Sequence, residues 1–366
     1  MKIPYINLIK QYTTEKKKLL TVINKVLSSG NYVGGDEVEQ FEINIQNYLK
    51  IKYCVALNSG TDALTLGLHA LGVKSGDEVI TAPNSFIAST SVIVHLGAKP
   101  VFADVKNDQL IDPNKIEKLI TNKTKAIMPV HLGGRVCEME KLEKISKKYK
   151  IPIIEDSAQA IGSKYNNKFA GTFGEIGCFS AHPLKNLNAL GDSGFLITNS
   201  SKIAKYIKDL RNHGMTNRNR VKNFGFVSRM DNLQAAILNF RLKNLKKIID
   251  KRRINAKLYF KFLSKKNVYI PIEKQNEFNT YHTFVIQVSK RNKLKKFLSK
   301  HKIQTSIHYP IPIHLQPASK YLKYQRGDLP ITEKQSAKIL TLPINQFITK
   351  QQIVKICSLI NKFYEN

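Results

Sequence analysis

Residues 176–199 read IGCFSAHPLKNLNALGDSGFLITN. Two apolar runs of strand length, IGCFSA and SGFLITN, enclose a segment in which one lysine, Lys185, follows His182-Pro183 and precedes Gly191 and Gly194. Short apolar runs bounded by turn residues mark buried strands. Outward from this block the same texture recurs in YCVALN (53–58), DEVITAP (77–83), KPVFADV (99–105), KAIMPVHL (125–132) and IPIIED (151–156). Amphipathic stretches lie among them: TDALTLGLHALG (61–72), FIASTSVIVHLG (86–97), EMEKLEKISKKYK (138–150) and SKIAKYIKDLRNHG (201–214). That alternation predicts an α/β unit, a mainly parallel sheet with helices on both faces. Ligands of such sheets sit beyond the carboxyl ends of the strands, so the residues just after each apolar run are the ones to read.

The texture changes after Asp231. A helical pattern runs through DNLQAAILNFRLKNLKKIIDKRRINAKLYFKFL (231–263), then come a strand TFVIQVS (283–289), a helix RNKLKKFLSKHK (291–302), a strand IQTSIHYP (303–310) and two closing helices. The chain is expected to divide into a large α/β domain, 1–245, and a smaller α+β domain, 246–366, jointed by one long helix.

Composition narrows the function. With 366 residues and 42% hydrophobic content, the chain can bury a sizeable core. Its 59 Lys and Arg against 27 Asp and Glu give +32. The basic residues are spread along helix faces, as in EKLEKISKKYK (140–150) and KNLKKIIDKRR (243–253), without interleaved aromatics or a nucleic-acid motif. They read as solvated faces rather than a nucleic-acid footprint, and their field favours an anionic substrate. The start, MKIPYINLIKQYTTEKKK, has no apolar core of a signal peptide, and no run approaches the roughly 18 apolar residues of a membrane span. A cytoplasmic protein without a membrane partner is expected. Cys54, Cys137, Cys178 and Cys357 are scattered without metal-ligand spacing, so buried reduced thiols and no metal are expected.

Three elements carry chemistry. Asn58-Ser59-Gly60-Thr61-Asp62 ends a strand and opens a helix, where free N–H groups, a glycine and hydroxyls make an anion cradle; the same residues also serve as an ordinary N-cap. In IIEDSAQ (153–159) two carboxylates end a buried strand, and Asp156 aimed into the crevice can pair with a protonated ring nitrogen or a metal; an N-cap or an ordinary salt-bridge partner is the plainer alternative. Lys185 follows a strand in an apolar, Asn-containing setting, where desolvation lowers an amine's pKa and makes it nucleophilic; a solvated surface lysine is the plainer alternative. Together, in that order, a phosphate grip, a partner for a pyridinium nitrogen and an imine-forming amine are what a pyridoxal 5′-phosphate (PLP) site requires.

The blocks NSGTDAL, GDEVITAPNSFIAST, GAKPVFADV, IIEDSAQAIGSKY, FSAHPLKNLNALGDSGFLITN, RNHG, SRMDNLQAAIL and HYPIPIHLQPA…GDLPITE resemble, in order and spacing over nearly the whole chain, the DegT/DnrJ/EryC1/StrS sugar aminotransferases. The resemblance implies the aspartate aminotransferase-like fold (fold type I), PLP as cofactor and a homodimer with active sites at the subunit interface. It gives Lys185 as the Schiff-base lysine and proton shuttle, and Asp156 as partner of the pyridine nitrogen. Gln159 would contact the ring's 3-hydroxyl, Gly60, Thr61 and Ser180 the phosphate, and Phe86 the ring face. The segment Gly225-Phe226-Val227-Ser228-Arg229 departs from the family's pattern, because Val227 stands where many members have an asparagine that reaches the neighbouring subunit's phosphate. Ser228, Arg229 and Asn223 are the available stand-ins.

The stretch His308-Tyr309-Pro310-Ile311-Pro312 with Gly327-Asp328-Leu329-Pro330 is similar to the branch acting on nucleotide-linked 3-keto sugars. By that likeness His182, His308 and Tyr309 would line the sugar pocket and Arg218 would meet the diphosphate. The expected reaction moves an amino group from an amino acid, L-glutamate, to a keto-sugar, for surface polysaccharide (lipopolysaccharide, O-antigen) or glycoside synthesis. A 4-keto nucleotide sugar is the alternative acceptor. A deoxygenating relative has histidine at the Schiff-base position, which Lys185 argues against. A regulatory or nucleic-acid-binding role is the reading from another class; it predicts a colourless protein, whereas a PLP imine is yellow and is bleached by borohydride.

Overall fold

A computed structural model describes residues 2–365. Seven strands, β1 (Tyr53–Leu57), β2 (Glu78–Thr81), β3 (Lys99–Phe102), β4 (Thr124–Met128), β5 (Ile154–Asp156), β6 (Ile176–Ser180) and β7 (Gly194–Thr198), coincide with the apolar runs. The ladders run β3-β2-β4 and β5-β6-β7-β1. Parallel bridges Ile127–Ile153 and Val130–Asp156 join the two sets into one sheet. Only β7 runs antiparallel, against both β1 and β6. The sheet is therefore mainly parallel, as expected.

The strands read as continuous apolar runs because both faces are covered. Along β7, Leu196 faces a cluster with Leu64 and Leu68 of α3 (Gly60–Ala70) and Ile207 of α6 (Ser201–Leu210). Its neighbours Phe195 and Ile197 face Phe41 and Ile45 of α2 (Asp36–Leu49) and Leu238 of α7 (Asn232–Leu242). A third cluster seats Met139 and Leu142 of α5 (Met139–Tyr149) on Ile80, Ile127 and Ile153. The helix α1 (Leu8–Ser29) and α4 (Ala88–His95) complete this part.

The long helix expected after Asp231 is broken. It ends as α7 at Leu242, and α8 (Leu245–Phe262) starts after Lys243-Asn244. Asparagine is a weak helix former, and the two pieces serve different cores: Ala235 and Leu238 pack with α2, whereas Ala256 and Tyr259 pack with the C-terminal residues.

That second core lies on a three-stranded antiparallel sheet of β8 (Val268–Tyr269), β9 (Phe284–Val288) and β10 (Ile339–Leu342), with β9 central. Tyr259 of α8, Leu294 and Leu298 of α9 (Arg291–Lys300) and Ile356 of α11 (Lys350–Glu365) fill it against Phe284, Ile286 and Leu340 of the sheet. Ile3 joins this core rather than the larger one, and pairs with Ile303 in a parallel bridge. The strand expected over 303–310 reduces to isolated bridges at Ile303 and Ser306. Pro310 and Pro312 bring no N–H to a ladder, and His308 and Tyr309 turn into a cavity instead. The helix α10 (Pro330–Lys338) is pinned to the first part where Asp104 accepts from the backbone N–H groups of Ile331 and Thr332, both at 3.0 Å.

Candidate active site

A cavity of about 400 Å³ opens beyond the carboxyl ends of β5 and β6, between the sheet and the second unit. The side-chain period of two sorts the paired carboxylates of IIED. Glu155 points to the opposite face, wholly buried, and accepts from the N–H groups of Gly171 (2.7 Å), Phe173 (2.6 Å) and Gly174 (2.7 Å). It also meets His131 Nε2 at 2.8 Å. The N–H of Cys137 donates to His131 Nδ1, so the ring proton sits on Nε2 and faces Glu155. Asp156 faces the cavity: its Oδ2 accepts from Ser89 Oγ at 2.7 Å and its Oδ1 from the Ala158 N–H at 3.1 Å.

Lys185 sits in a turn closed by its own N–H on the His182 carbonyl at 2.8 Å. Its ammonium group meets no carboxylate within salt-bridge distance among the described residues. Burial lowers its pKa to about 8, against a smaller upward pull from Asp156. The amine is therefore partly uncharged near neutral pH, as a nucleophile requires.

The start of α3 supplies an anion cradle. Ser59 caps the helix by accepting from the Asp62 N–H at 3.0 Å. The N–H groups of Gly60 and Thr61 meet no protein acceptor among the described residues. Two glycines permit this approach. A Cβ on Gly60 would lie 2.6 Å from Ser180 Cβ, and one on Gly194 would lie 2.4 Å from the Gly60 nitrogen. Ser180 Oγ accepts from the His182 N–H at 3.3 Å, which leaves its own hydrogen to donate.

The other expected residues gather here, with one exception. Gln159 accepts from the Gly133 N–H at 2.8 Å and reaches Tyr309 Oη at 3.5 Å. Phe86, half exposed in the cavity, lies 6.0 Å from the Tyr309 ring. His308 Nδ1 meets Thr341 Oγ1 at 2.9 Å, and burial aided by Lys185 lowers its pKa to about 4. Burial raises the Tyr309 phenol to about 12. His182 lines the cavity as well. Arg218 does not: it is exposed between two short strands, Met215–Asn217 and Arg220–Val221, away from the cavity of its own chain. Of the stand-ins for Val227, Ser228 is fully buried with its Oγ on Asn58 Oδ1, and Arg229 is held by Asn212.

Sequence reading passed over Tyr5, Ser89 and His282, all of which line the cavity. Ser89 stands inside the motif block that carries Phe86, and its helical offset of three was the available signal. Tyr5 and His282 gave none, since their place depends on packing between distant segments.

The residues fit PLP: a free amine of lowered pKa, a carboxylate anchored at the cavity floor, and an unfilled cradle of N–H groups at a helix start. A family model for the DegT/DnrJ/EryC1/StrS aminotransferase family matches residues 13–361. The dTDP-3-amino-3,6-dideoxy-alpha-D-galactopyranose transaminase of Aneurinibacillus thermoaerophilus is 38% identical over 99% of both chains. A protein of Geobacillus stearothermophilus named pleiotropic regulatory protein is 37% identical over the full length of both. The crystal structure of S. venezuelae DesV in complex with a ketimine intermediate superposes with a TM-score of 0.97 at 33% identity, covering 100% of this chain and 99% of that one. Neighbours of the same fold have been solved in PLP and PMP forms. The chain belongs to the DegT/DnrJ/EryC1/StrS aminotransferase family and is a PLP-dependent transaminase.

Proposed function

We propose that this transaminase moves an amino group from L-glutamate to C3 of a nucleotide-linked keto-sugar, in the cytoplasm, on a route to surface polysaccharide or another glycoside. The observation that carries the reading is the convergence of Lys185, Asp156 and the start of α3 on one cavity whose opposite wall presents His308 and Tyr309. Position C3 is supported by the names of relatives, which include two dTDP-3-amino sugar transaminases and an aminotransferase for a UDP-linked 3-oxo sugar acid.

When bound, PLP supplies a protonated conjugated ring that takes up the electron pair left as a proton leaves the amino carbon. Lys185 holds the cofactor between turnovers and moves that proton, a task suited to an amine with a pKa of about 8. Asp156, its oxygens fixed by Ser89 and Ala158, keeps the proton on the ring nitrogen. The N–H groups of Gly60 and Thr61 and the Ser180 hydroxyl take the phosphate. Gln159 meets the 3-hydroxyl and Phe86 covers the ring face. His182, His308 and Tyr309 orient the sugar, with the two rings of lowered or raised pKa acting as neutral hydrogen-bonding groups.

The working unit is a homodimer, and the two parts of each chain are domains meeting near residue 245. Apolar side chains stand in water beside the Arg218 hairpin: Val221 (56% exposed), Phe224 (99%) and Val227 (57%). Such a surface calls for a partner, and in a dimer Arg218 serves the neighbour's diphosphate site. An amino-transfer assay over a panel of 3-keto and 4-keto nucleotide sugars tests the reading. Amination of the 3-keto members is expected, and preference for the 4-keto members would overturn the choice of C3.

A further inference from the structure

Behind the cavity lies a cation without a counter-ion. Arg252, on α8, is buried, yet no carboxylate pairs with it among the described residues, whereas the equally buried Arg135 and Arg241 each hold a glutamate. Its Nη1 donates to the carbonyls of Tyr281 and His282, both at 3.1 Å, its Nη2 reaches Gln346 at 3.4 Å, and its Nε has no partner. The guanidinium thus clamps the backbone that carries His282 and leaves its charge to the cavity. His282 lines that cavity, and neither of its ring nitrogens meets a protein partner among the described residues; Nδ1 is buried and unsatisfied. Tyr5 lines the same corner. Gln304 Oε1 accepts from its N–H, Asn345 Nδ2 donates to its carbonyl, and its hydroxyl meets no protein acceptor among the described residues.

The ionisable side chains acting on the buried His282 are Lys185, Arg252, His308 and His182; none is an acid, and Arg252 stays charged through the neutral range. Buried positive charge without an acid is costly, and unfilled donors beside it are complementary to an anion. A sugar hydroxyl would satisfy the donors and leave the charge. The cofactor's phosphate belongs to the other end of the cavity, at the start of α3. With the acceptor's diphosphate assigned to the Arg218 hairpin, what remains is the anionic group that every amino-acid donor carries next to its amine.

We propose that Tyr5 and His282 form the subsite for the α-carboxylate of the amino donor, with Arg252 as the positioning residue that fixes His282 and supplies the positive potential. The proposal rests on an amino acid being the donor. Neutral imidazole and phenol each donate one hydrogen bond to the carboxylate, and Arg252 acts from behind without touching it.

The test compares L-glutamate with its α-amide, L-isoglutamine, in single turnovers followed by the cofactor's absorbance. Wild type prefers glutamate. In Tyr5→Phe and His282→Asn the preference falls by about tenfold each, the scale of a hydrogen bond to a charged group. Arg252→Lys lowers it too, since a point charge cannot grip two carbonyls. Glutarate, which cannot react, binds the cofactor-loaded wild type more tightly than either variant, by calorimetry. Unfolding temperature and cofactor content of each variant show that the fold is kept. An unchanged glutamate-to-isoglutamine ratio in folded Tyr5→Phe and His282→Asn overturns the proposal. So does a loss that falls on the keto-sugar half-reaction instead. Failure of every keto-sugar in the panel, with the glutamate preference behaving as expected, would remove the acceptor assignment and leave this subsite standing.

Discussion

The wall of the cavity built by the parallel sheet and the wall built by the second unit differ in how their polar groups are satisfied. On the sheet wall, Asp156 is held at both oxygens, Gln159 at its carbonyl and Ser180 at its hydroxyl, while the Lys185 amine and the cradle N–H groups stand open among the described residues. On the facing wall, among the described residues, His308 has one partner, His282 none for its ring, and the Tyr5 hydroxyl none. Groups fixed before a ligand arrives lose nothing to reorganisation when charge develops. Groups left open pair only when the ligand comes. The contrast fits one wall serving a cofactor that never changes and another serving a donor and an acceptor in turn.

The largest effects should come from the sheet wall. Lys185→Ala should abolish amino transfer while the protein still folds, because the only lysine amine lining the cavity among the described residues is gone. Turnover above roughly 1% of wild type without added amine would break the assignment. Asp156→Asn should cost about 3 kcal/mol, about a hundredfold in rate, with a smaller change in PLP affinity, since an amide can hold the ring but not its positive charge. The same variant has a pH signature. Asp156 raises the Lys185 pKa against burial, so its neutralisation moves the midpoint below about 8. The rate at which the apo-protein captures PLP, which rises with pH as the amine loses its proton, should then reach half its plateau at lower pH. A midpoint shifted upward would contradict the geometry.

The sheet wall was legible in the sequence because its residues follow local rules. Lys185, Asp156 and the Ser59–Thr61 cradle each stand at the end of an apolar run, where strand periodicity and helix capping dictate position. The seven strands were legible for the same reason. The facing wall was only half legible: His308 and Tyr309 lie in a recognisable motif, but Tyr5 joins His282 and Arg252 from more than two hundred residues away, and those two stand 30 residues apart on different elements. The break at Lys243-Asn244 was hidden because the apolar pattern continues across it; a weak helix former coincides there with a change of packing partner, from α2 to the C-terminal core. Arg218 was read into the site from its loop, whereas the structure leaves it exposed in a hairpin outside the cavity of its own chain, a placement that no local pattern signals.

Adjacent carboxylates sharpen the comparison next. Glu155 serves the fold where Asp156 faces the cavity, because one residue along a strand reverses the side chain. Glu155→Gln replaces one acceptor oxygen by a donor among three converging N–H groups and His131. A loss of about 2–3 kcal/mol in unfolding free energy is expected, with the rate per folded, cofactor-loaded molecule changed far less than by Asp156→Asn. Denaturant unfolding and single-turnover rates measured together separate the two. If Glu155→Gln cost mainly rate, the division of labour between the two carboxylates would be wrong.

The smallest effect should come from His308 on the facing wall. Its Nδ1 is tied to Thr341, and burial beside Lys185 holds its pKa near 4, so at neutral pH the ring is uncharged. A neutral ring offers one hydrogen bond and no net charge, which limits its worth to roughly 1–1.5 kcal/mol, or about tenfold. His308→Ala should therefore slow the keto-sugar half-reaction about tenfold and the glutamate half-reaction less. Because the ring is already neutral from about pH 5 upward, the loss should be flat across the neutral range and shrink only as the wild-type ring gains its proton near pH 4. Following the cofactor spectrum in each half-reaction reads both quantities. Equal slowing of the two halves would make His308 a support for the cofactor, and the facing wall would then resemble the sheet wall more closely than its open polar groups imply.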